Sequence, residues 1–238
     1  MADEVAHIKE RYAPELLWFA DDVFSISYRW LSEYAAEVRR RDCALPFETI
    51  TRADRVTEEV VAWMAELGCK RVWLGSESGS QRILDAMERG VTVEQIRWAV
   101  KAFQAAGIEV GLFLMWGYEG EDASDIEATI RHVVKAAPDR FLTTVAYPIR
   151  GTPYFDDVSE RVESPDEWLT SSDREHRVRG RPSTRYYSFA TDRLRAEVAL
   201  RGSSGGGLSA TAPVAARAAL ALTRARIGMW RTRNEVEA

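Results

Sequence analysis

The first 158 residues alternate between short apolar runs and longer amphipathic stretches. An apolar run of about four to eight residues predicts a buried strand, whereas apolar residues three or four positions apart predict a helix. The predicted strands are 16–20, 47–50, 72–75, 108–115 and 140–147, and the predicted helices with their capping residues are 3–12, 28–41, 57–68, 81–87, 92–107 and 124–138. Strands and helices that alternate after an opening helix are typical of a parallel α/β sheet.

Residues with capping side chains support several of these helix starts. Thr57 can accept a hydrogen bond from the first helical turn that follows it. Thr92 with Gln95, and Ser124 with Glu127, have the spacing of a capping box. The pattern therefore predicts where three of the helices begin.

Two predicted strands end in loops that are rich in glycine and acidic residues. The strand 72–75 runs into the loop 76–80, and the strand 108–115 runs into the loop 117–121. In parallel α/β folds, ligands bind at the carboxyl ends of the strands. The two loops therefore mark the predicted ligand-binding end of the domain.

Composition and charge narrow the class of protein. The 238 residues, 46% of them apolar, suffice for one α/β domain with an appendage. The formal net charge of -5 gives no overall electrostatic reason to expect a nucleic-acid partner. No apolar run has the length of a transmembrane segment, and the polar N-terminus does not look like a signal peptide.

The two cysteines, Cys43 and Cys69, lie far apart in the sequence. They lack the spacing of metal ligands, so we expect no metal site formed by this chain. Sparse cysteine also predicts a reducing, cytoplasmic setting.

The C-terminal part differs in character. We expect a basic helical extension at 159–201, in which residues 173–201 hold eight arginines against four acids around three aromatic residues. Such a mixture can bind nucleic acid, but solvated arginines on one or two helices explain it more simply, and we expect no specific nucleic-acid partner.

Composition predicts a flexible Gly/Ser linker at 202–209. An Ala- and Arg-rich helix follows at 210–238, with apolar residues all around it, so we expect no docking face and a separable helix.

Residues 3 to about 157, within an expected partial barrel domain at 1–158, resemble the later part of the core domain of the radical S-adenosylmethionine (SAM) family, especially the branch that often carries a cobalamin-binding domain upstream. The matching segments are LWFADDVF (17–24), TRAD (51–54), LGSESGS (74–80), ILDAMERG (83–90), GYEGE (117–121) and YPIRGTP (147–153). Each is weak alone, but their order and spacing make the resemblance specific. It implies an incomplete (β/α) TIM-like barrel of about five parallel strands with a helical C-terminal extension.

The resemblance implies cofactor contacts at the two glycine-rich loops. Glu77, Ser78 and Gly79 match the family's ribose-side motif, where a carboxylate accepts hydrogen bonds from ribose hydroxyls. Gly117 opens a segment similar to the family's Gly-x-Pro-Gly-Glu turn. Without the resemblance, Ser78 or Ser80 would cap a helix and Glu77 would be a solvated acid.

Four further positions complete the set that the resemblance implies. Asp21 and Asp22 occupy the place where the family contacts the amino group of the cofactor's methionine, although an aspartate turn explains them equally simply. Arg89 matches a basic position that can pair with the methionine carboxylate, or it is a cation near a helix C-terminus. Arg52 either lines the cavity or makes a structural ion pair.

One departure from the family concerns the cluster ligands. Members carry a Cys-x3-Cys-x2-Cys motif after the first strand, and its thiolates hold a [4Fe–4S] cluster with SAM on the open iron. Neither Cys43 nor Cys69 matches this motif, so we expect that the chain as written does not ligate the cluster. The opening helix fits a βα unit that has lost its strand, although an ordinary N-terminal helix fits as well. We therefore expect a fragment, a truncated gene product or half of a split enzyme, whose partner is a separate N-terminal half with the cysteines.

The resemblance thus implies the SAM-binding portion of a radical SAM enzyme. In complete form such an enzyme cleaves SAM reductively to a 5′-deoxyadenosyl radical, and cobalamin would enter through an upstream domain. The alternative is a catalytically inactive barrel remnant that acts as a binding or complementing subunit, which leaves open whether the chain itself is an enzyme. The sequence indicates neither the substrate nor the reaction type.

Overall fold

The computed structural model of the protein describes residues 1–163, 175–204 and 212–237. Residues 202–204 of the predicted Gly/Ser linker belong to a helix, and residues 205–209 lie outside the described ranges. The domain boundaries expected after residues 158, 201 and 209 remain predictions.

Strands and helices alternate through the N-terminal part, as the apolar pattern predicts. The strands are β1 (Leu17–Phe19), β2 (Phe47–Thr51), β3 (Cys69–Glu77), β4 (Glu109–Trp116), β5 (Arg140–Val145), β6 (Val162–Glu163) and β7 (Arg177–Val178). The helices are α1 (Ala2–Tyr12), α2 (Tyr28–Arg41), α3 (Glu58–Glu66), α4 (Gln81–Ala86), α5 (Val93–Ala105), α6 (Ala123–Ala136), α7 (Pro153–Val158), α8 (Thr184–Ser204) and α9 (Ala212–Thr232).

Strands β1 to β5 form one parallel sheet in sequence order. Leu17 pairs with Phe47 at the β1–β2 edge, and β3 lies between β2 and β4. The predicted α/β class and the five parallel strands are therefore confirmed. Strands β6 and β7 form a separate antiparallel pair.

The chain divides into two compact units. The first comprises residues 1–114 and 135–142, and the second comprises residues 115–134 together with the described part of 143–238. The boundary falls inside β4 and β5, so both strands contribute residues to each unit.

One face of the sheet in the first unit is covered by helices. Side chains alternate along a strand, so every second residue points to this face. Phe47, Val72, Leu74, Val110 and Leu112 point there and are buried in one apolar cluster with residues of α2, α3 and α5. Full burial of an aliphatic side chain contributes about 1.5–3 kcal/mol, which makes this cluster the main source of stability in the first unit.

The opposite face of the sheet carries charged and aromatic side chains. Arg71 bridges two carboxylates, with Nη1 2.5 Å from Glu48 Oε1 and Nη2 2.7 Å from Glu109 Oε2. Trp73 stacks on Phe113 with ring centroids 4.9 Å apart. A Cβ atom at Gly111, which pairs with Trp73, would overlap the indole ring.

Two of the three predicted caps are confirmed, and one is wrong. Thr57 accepts a hydrogen bond from Val60 N, and Thr92 forms a capping box with its third helical residue. The box predicted for Ser124 does not form, because α6 begins at Ala123 and Ser124 lies inside its first turn. Asp122 caps that helix, with Oδ1 2.7 Å from Ser124 N, while Asp125 Oδ2 accepts the N–H of Asp122.

Helix α9 packs on α8 in the second unit. Ala218, Ala225, Met229 and Thr232 are buried on one side of α9, and a Cβ atom at Gly228 would overlap the ring of Phe189. The expectation that this helix has no docking face is therefore wrong. Small residues form much of the face of α9 that contacts α8. The expectation considered only large apolar residues, and these are spread around the helix.

Among the described residues, no helix combines the length and the apolar character that a bilayer crossing requires.

We predict that Gly228→Ala destabilises the packing of α8 and α9 by about 1–3 kcal/mol, because the added methyl group meets the Phe189 ring. In a helix without such a contact the same change stabilises by roughly 1 kcal/mol. The sign of the change in the free energy of unfolding, measured with urea, therefore shows whether the added methyl group meets the Phe189 ring. Phe189→Leu in the same background should recover most of the loss, and a stabilising Gly228→Ala would contradict the packing.

Candidate cofactor site

Four of the predicted contact residues lie beyond or at the carboxyl ends of β1, β2 and β3. Asp21 and Asp22 follow β1, Arg52 follows β2, and Glu77 is the last residue of β3. Because these strands are parallel, their carboxyl ends share one edge of the sheet. Both aspartates are exposed there.

The end of β3 is irregular at the position of Glu77. Gly75 pairs with Phe113 and Glu77 pairs with Leu114, so Ser76 is an extra residue in the strand. Such a bulge re-aims the side chains that follow it. Glu77 has a φ of 53°, a left-handed conformation that costs a non-glycine residue of order 1 kcal/mol. The strand therefore ends in a strained residue, and its side chain no longer follows the regular alternation of side chains between the two faces of the sheet.

Glu77 forms an ion pair with Arg89, which follows the C-terminus of α4. The Arg89 Nη2 to Glu77 Oε1 distance is 3.0 Å, and the Glu77 side chain is 15% exposed. Burial raises the pKa of Glu77, and the charge of Arg89 opposes that rise. A Cβ atom at Gly75 would lie 2.8 Å from Arg89 Nη2 and 2.9 Å from Glu77 Oε1. Glycine at this position therefore leaves the space that the ion pair occupies.

Arg52 holds the main chain at Arg89. Its Nε and Nη2 atoms donate to the carboxylate of Asp54 at 2.8 and 3.2 Å, and Nη2 also donates to Arg89 O at 2.7 Å. Of the two alternatives for Arg52, the structural ion pair is present. This pair links the end of β2 to the residue that faces Glu77.

Ser78 and Gly79 form the turn between Glu77 and α4. Ser78 is fully buried, its N–H donates to Ser76 O at 2.6 Å, and its Oγ accepts the N–H of Ser80 at 3.1 Å. The hydroxyl of Ser78 thus orders the turn itself, and Ser80 is the residue that precedes α4. The hydrogen bonds of Ser78 to Ser76 and Ser80 therefore fix the backbone on both sides of Glu77.

The second glycine-rich loop lies in the second unit. Gly117 and Gly120 have φ values of 73° and 79°, which glycine adopts without strain. A Cβ atom at Gly117 would lie 2.8 Å from Tyr187 Oη and 3.0 Å from Arg181 Cδ. Gly117 is therefore required both for its conformation and for the close approach of α8 and the segment before it.

Glu121 closes the same loop. Its Oε2 accepts the N–H of Gly117 at 2.6 Å, and its Oε1 is buried without a hydrogen-bond partner among the described residues. Burial raises the pKa of Glu121 to about 8; the Gly117 hydrogen bond opposes this rise, and the charges of Asp125 and Asp122 add to it. The loop therefore contains a carboxyl group that keeps its proton at neutral pH.

Comparison with known families decides the class of this chain. The sequence pattern of the radical SAM superfamily matches residues 1–133, which is more than half of the chain. The chain belongs to the radical SAM superfamily. The resemblance based on the six short segments is thereby confirmed at the level of the family.

Curated relatives of this radical SAM chain include methyltransferases. The chain is 28% identical over 151 residues to an uncharacterized methyltransferase of Pyrococcus horikoshii, an alignment that covers 63% of this chain and 33% of the relative. It is 26% identical over 163 residues to cytidylyl-2-hydroxyethylphosphonate methyltransferase of Streptomyces wedmorensis, covering 64% of this chain and 30% of that protein. The chain thus spans about a third of the length of these relatives.

Solved structures share the fold. The radical SAM methyltransferase TsrM of Kitasatospora setae, solved with cobalamin and a [4Fe-4S] cluster, has a TM-score of 0.62 at 18% identity, covering 73% of this chain and 36% of that one. Coproporphyrinogen III oxidase of Escherichia coli, a radical SAM enzyme, has a TM-score of 0.51 at 13% identity, covering 75% and 54%. At this level of identity the likeness shows a common fold.

The two cysteines of this radical SAM chain do not fit a [4Fe–4S] cluster beside Glu77. Cys69 is the first residue of β3 and Glu77 is the last, a separation of eight residues or roughly 26 Å along an extended strand. Cys43 precedes β2, at the same amino-terminal edge. Burial raises the pKa of the Cys69 thiol to about 12, whereas metal ligation requires a thiolate. Among the described residues, no three His, Cys, Asp or Glu side chains form a group that could hold a metal ion.

Two residues of these sites were not predicted from the sequence. Asp54 lies within the TRAD segment, two positions after Arg52, and this spacing was a usable signal. Arg181 donates from Nη1 to Gly117 O, 64 positions earlier, and no local pattern marks it. The roles of the eight predicted contact residues toward SAM remain predictions.

We predict that Glu121→Gln reduces the loss of stability with rising pH. The unfolded state loses this proton near pH 4.5 and the folded state near pH 8, so ionisation favours unfolding between these values. One such proton changes the free energy of unfolding by about 1.4 kcal/mol per pH unit within this window. Urea unfolding across the pH range should therefore show a shallower decline for the variant, because glutamine does not ionise and can still accept the Gly117 N–H.

The matched control is Glu119→Gln in the same loop. Glu119 is about half exposed and pairs with Arg161 at 2.7 Å. Its replacement should leave the pH dependence of stability unchanged. Equal slopes for the wild type and Glu121→Gln would contradict the assigned proton.

Proposed function

We propose that this chain is the SAM-binding portion of a radical SAM enzyme and that Glu77 accepts hydrogen bonds from the ribose hydroxyls of SAM. The observation that carries the proposal is the bulge at the end of β3, which holds Glu77 in a left-handed conformation opposite Arg89. Strain of this kind concentrates at binding and catalytic positions. The family match over residues 1–133 supports SAM as the ligand.

The residues present fit the ribose side of the cofactor. A carboxylate at the carboxyl end of a parallel strand has acceptor oxygens for two ribose hydroxyls. The charge of Arg89 opposes the rise in the pKa of Glu77 that burial causes, and Arg52 holds the backbone at Arg89 in turn. Asp21 and Asp22 are exposed at the same edge and are the proposed contacts for the amino group of the methionine moiety.

When SAM is bound beside a reduced [4Fe–4S] cluster, it supplies a 5′-deoxyadenosyl radical. The cluster does not fit the two cysteines described above, and we propose that a separate partner with a Cys-x3-Cys-x2-Cys segment supplies its ligands. Cobalamin is proposed only for an assembly with an additional cobalamin-binding domain, as the structure of TsrM with cobalamin suggests by analogy.

Methyl transfer is the reaction class that we propose for the complete enzyme. Both curated relatives described above are methyltransferases, and so is the structural neighbour with a TM-score of 0.62. We extend this class to the present chain as part of the proposal, with a cytoplasmic setting. The substrate is left unassigned, because it differs among proteins of one fold.

We predict that Glu77→Gln weakens the binding of adenosine and of SAM about 10- to 100-fold in isothermal titration. The variant loses hydrogen bonds from ribose to a charged acceptor, which contribute about 1.5–3 kcal/mol. Adenosine is included because it lacks the methionine moiety, so its binding does not require the cluster. Glu109→Gln, at the amino-terminal end of β4, is the matched control and should leave both affinities unchanged.

Removal of a ribose hydroxyl tests the same contact from the ligand side. The wild type should bind 2′-deoxyadenosine more weakly than adenosine, whereas Glu77→Gln should bind the two nucleosides about equally. A double-mutant cycle of this kind isolates the pairwise interaction. If the losses of binding free energy caused by Glu77→Gln and by removal of the 2′-hydroxyl are additive, the assignment of the ribose contact to Glu77 is wrong.

We predict that the chain alone, reconstituted anaerobically with iron and sulfide, holds no stoichiometric [4Fe–4S] cluster. The physical reason is the position of both thiols at the amino-terminal edge of the sheet. Iron and sulfide analysis with absorption spectroscopy measures the outcome. A stable cluster that persists in the variant carrying both Cys43→Ala and Cys69→Ala would show that other residues ligate it.

A further inference from the structure

The second unit contains a cavity of about 700 Å³ beside the carboxyl end of β5. Its walls include Thr144 and Tyr147 from β5 and the turn after it, His176 and Arg181 from the region of β7, Thr184 from α8, and Glu237 near the C-terminus. A cavity of this volume falls in the range of small-molecule sites, about 300–1,000 Å³. All of these residues belong to the same unit.

Arg181 is a buried cation in the wall of this cavity. Its side chain is 8% exposed, and Nη1 donates to the backbone carbonyls of Ala146 and Gly117. These carbonyls hold the guanidinium in one orientation. The Nε and Nη2 atoms remain directed at one further acceptor group.

That acceptor is the carboxylate of Glu237. Its Oε2 lies 2.8 Å from Arg181 Nη2, 3.2 Å from Arg181 Nε and 3.2 Å from Val178 N, and its Oε1 accepts the hydroxyl of Thr184 at 2.9 Å. An arginine, a backbone N–H and a hydroxyl that converge on one carboxylate form an anion-binding site. Glu237 is its occupant in this structure.

The residues that carry Glu237 are held by main-chain hydrogen bonds rather than by apolar packing. Glu237 N donates to Arg181 O, Gly180 N donates to Glu237 O and Ser183 N donates to Glu235 O, while Val236 is 58% exposed. Segments with few buried apolar contacts open at low free-energy cost. Opening would nevertheless leave Arg181 buried without an anion, which is strongly unfavourable. The site therefore requires a replacement anion whenever Glu237 leaves it.

We propose that Arg181, Thr184 and the Val178 N–H form a binding site for the carboxylate of a small molecule, and that Glu237 fills this site until the ligand enters. The rest of the ligand then occupies the adjoining cavity. Arg181 also donates to the backbone carbonyl of Gly117, one of the predicted SAM contacts, but the inference does not depend on radical chemistry.

The test complements a missing side chain with a free carboxylate. Glu237→Ala in the full chain removes the CH2–COO⁻ group, for which acetate is the matching probe. Acetate should raise the thermal midpoint of Glu237→Ala in a saturable manner, relative to chloride at the same ionic strength, and should leave the wild type unchanged. If the variant is insoluble without acetate, recovery of soluble protein by acetate is the supporting result, and no recovery would overturn the proposal.

Two variants control for non-specific effects. Glu235→Ala removes a neighbouring exposed carboxylate that lies 3.5 Å from Arg185, and acetate should not affect it. Arg181→Met combined with Glu237→Ala removes the cation and should abolish the acetate effect. An equal acetate effect on Glu235→Ala, or an undiminished effect in the double variant, would overturn the assignment of the donors.

Ligand size tests the role of the cavity. In Glu237→Ala, 3-phenylpropionate should bind at least about tenfold more tightly than acetate, because its ring can bury apolar surface in the cavity. Isothermal titration measures both affinities. Equal affinities would mean that the site accommodates only a glutamate side chain of this chain, and the small-molecule assignment would be wrong.

Discussion

Parallel pairing of β1 to β5 is the constraint on which the rest of the first unit depends. Parallel neighbours require crossover connections, and in the first unit these helices bury one face of the sheet. Parallel pairing also brings every carboxyl strand end to one edge, where Glu77 and Arg52 lie. The cysteines occupy the opposite edge for the same reason. The separation of candidate cofactor residues from thiols thus follows from strand direction.

Among the described residues, Glu77, Glu121 and Glu237 are largely buried carboxylates whose surroundings differ. Glu77 faces the guanidinium of Arg89, and Glu237 faces that of Arg181. Glu121 has one backbone N–H and two neighbouring acids, so burial dominates and its pKa rises to about 8. The charge of Arg89 therefore opposes the rise in the pKa of Glu77 that burial causes, whereas a single backbone N–H leaves the larger rise at Glu121.

Membership in the radical SAM superfamily accounts for the loops at the carboxyl ends but leaves part of the chain unexplained. The family match ends at residue 133, whereas the anion site at Arg181 and the packed pair α8 and α9 lie beyond it. Substrate-specific features of enzymes that share a fold are added in such regions. The second unit therefore extends beyond the residues that the family match covers.

Local patterns in the sequence predicted β1 to β5, α1 to α6 and the caps at Thr57 and Thr92, because alternation, helical periodicity and capping depend on neighbouring residues. The segments that resemble the family also marked Glu77, Arg52 and Arg89 before their contacts were known. Only the tertiary structure decided the pairing of Glu77 with Arg89, since it depends on a bulge in β3, and the pairing of Arg181 with Glu237, which lie 56 positions apart. Periodicity reports which face of a segment is apolar, and it contains no information about the residue that will lie opposite.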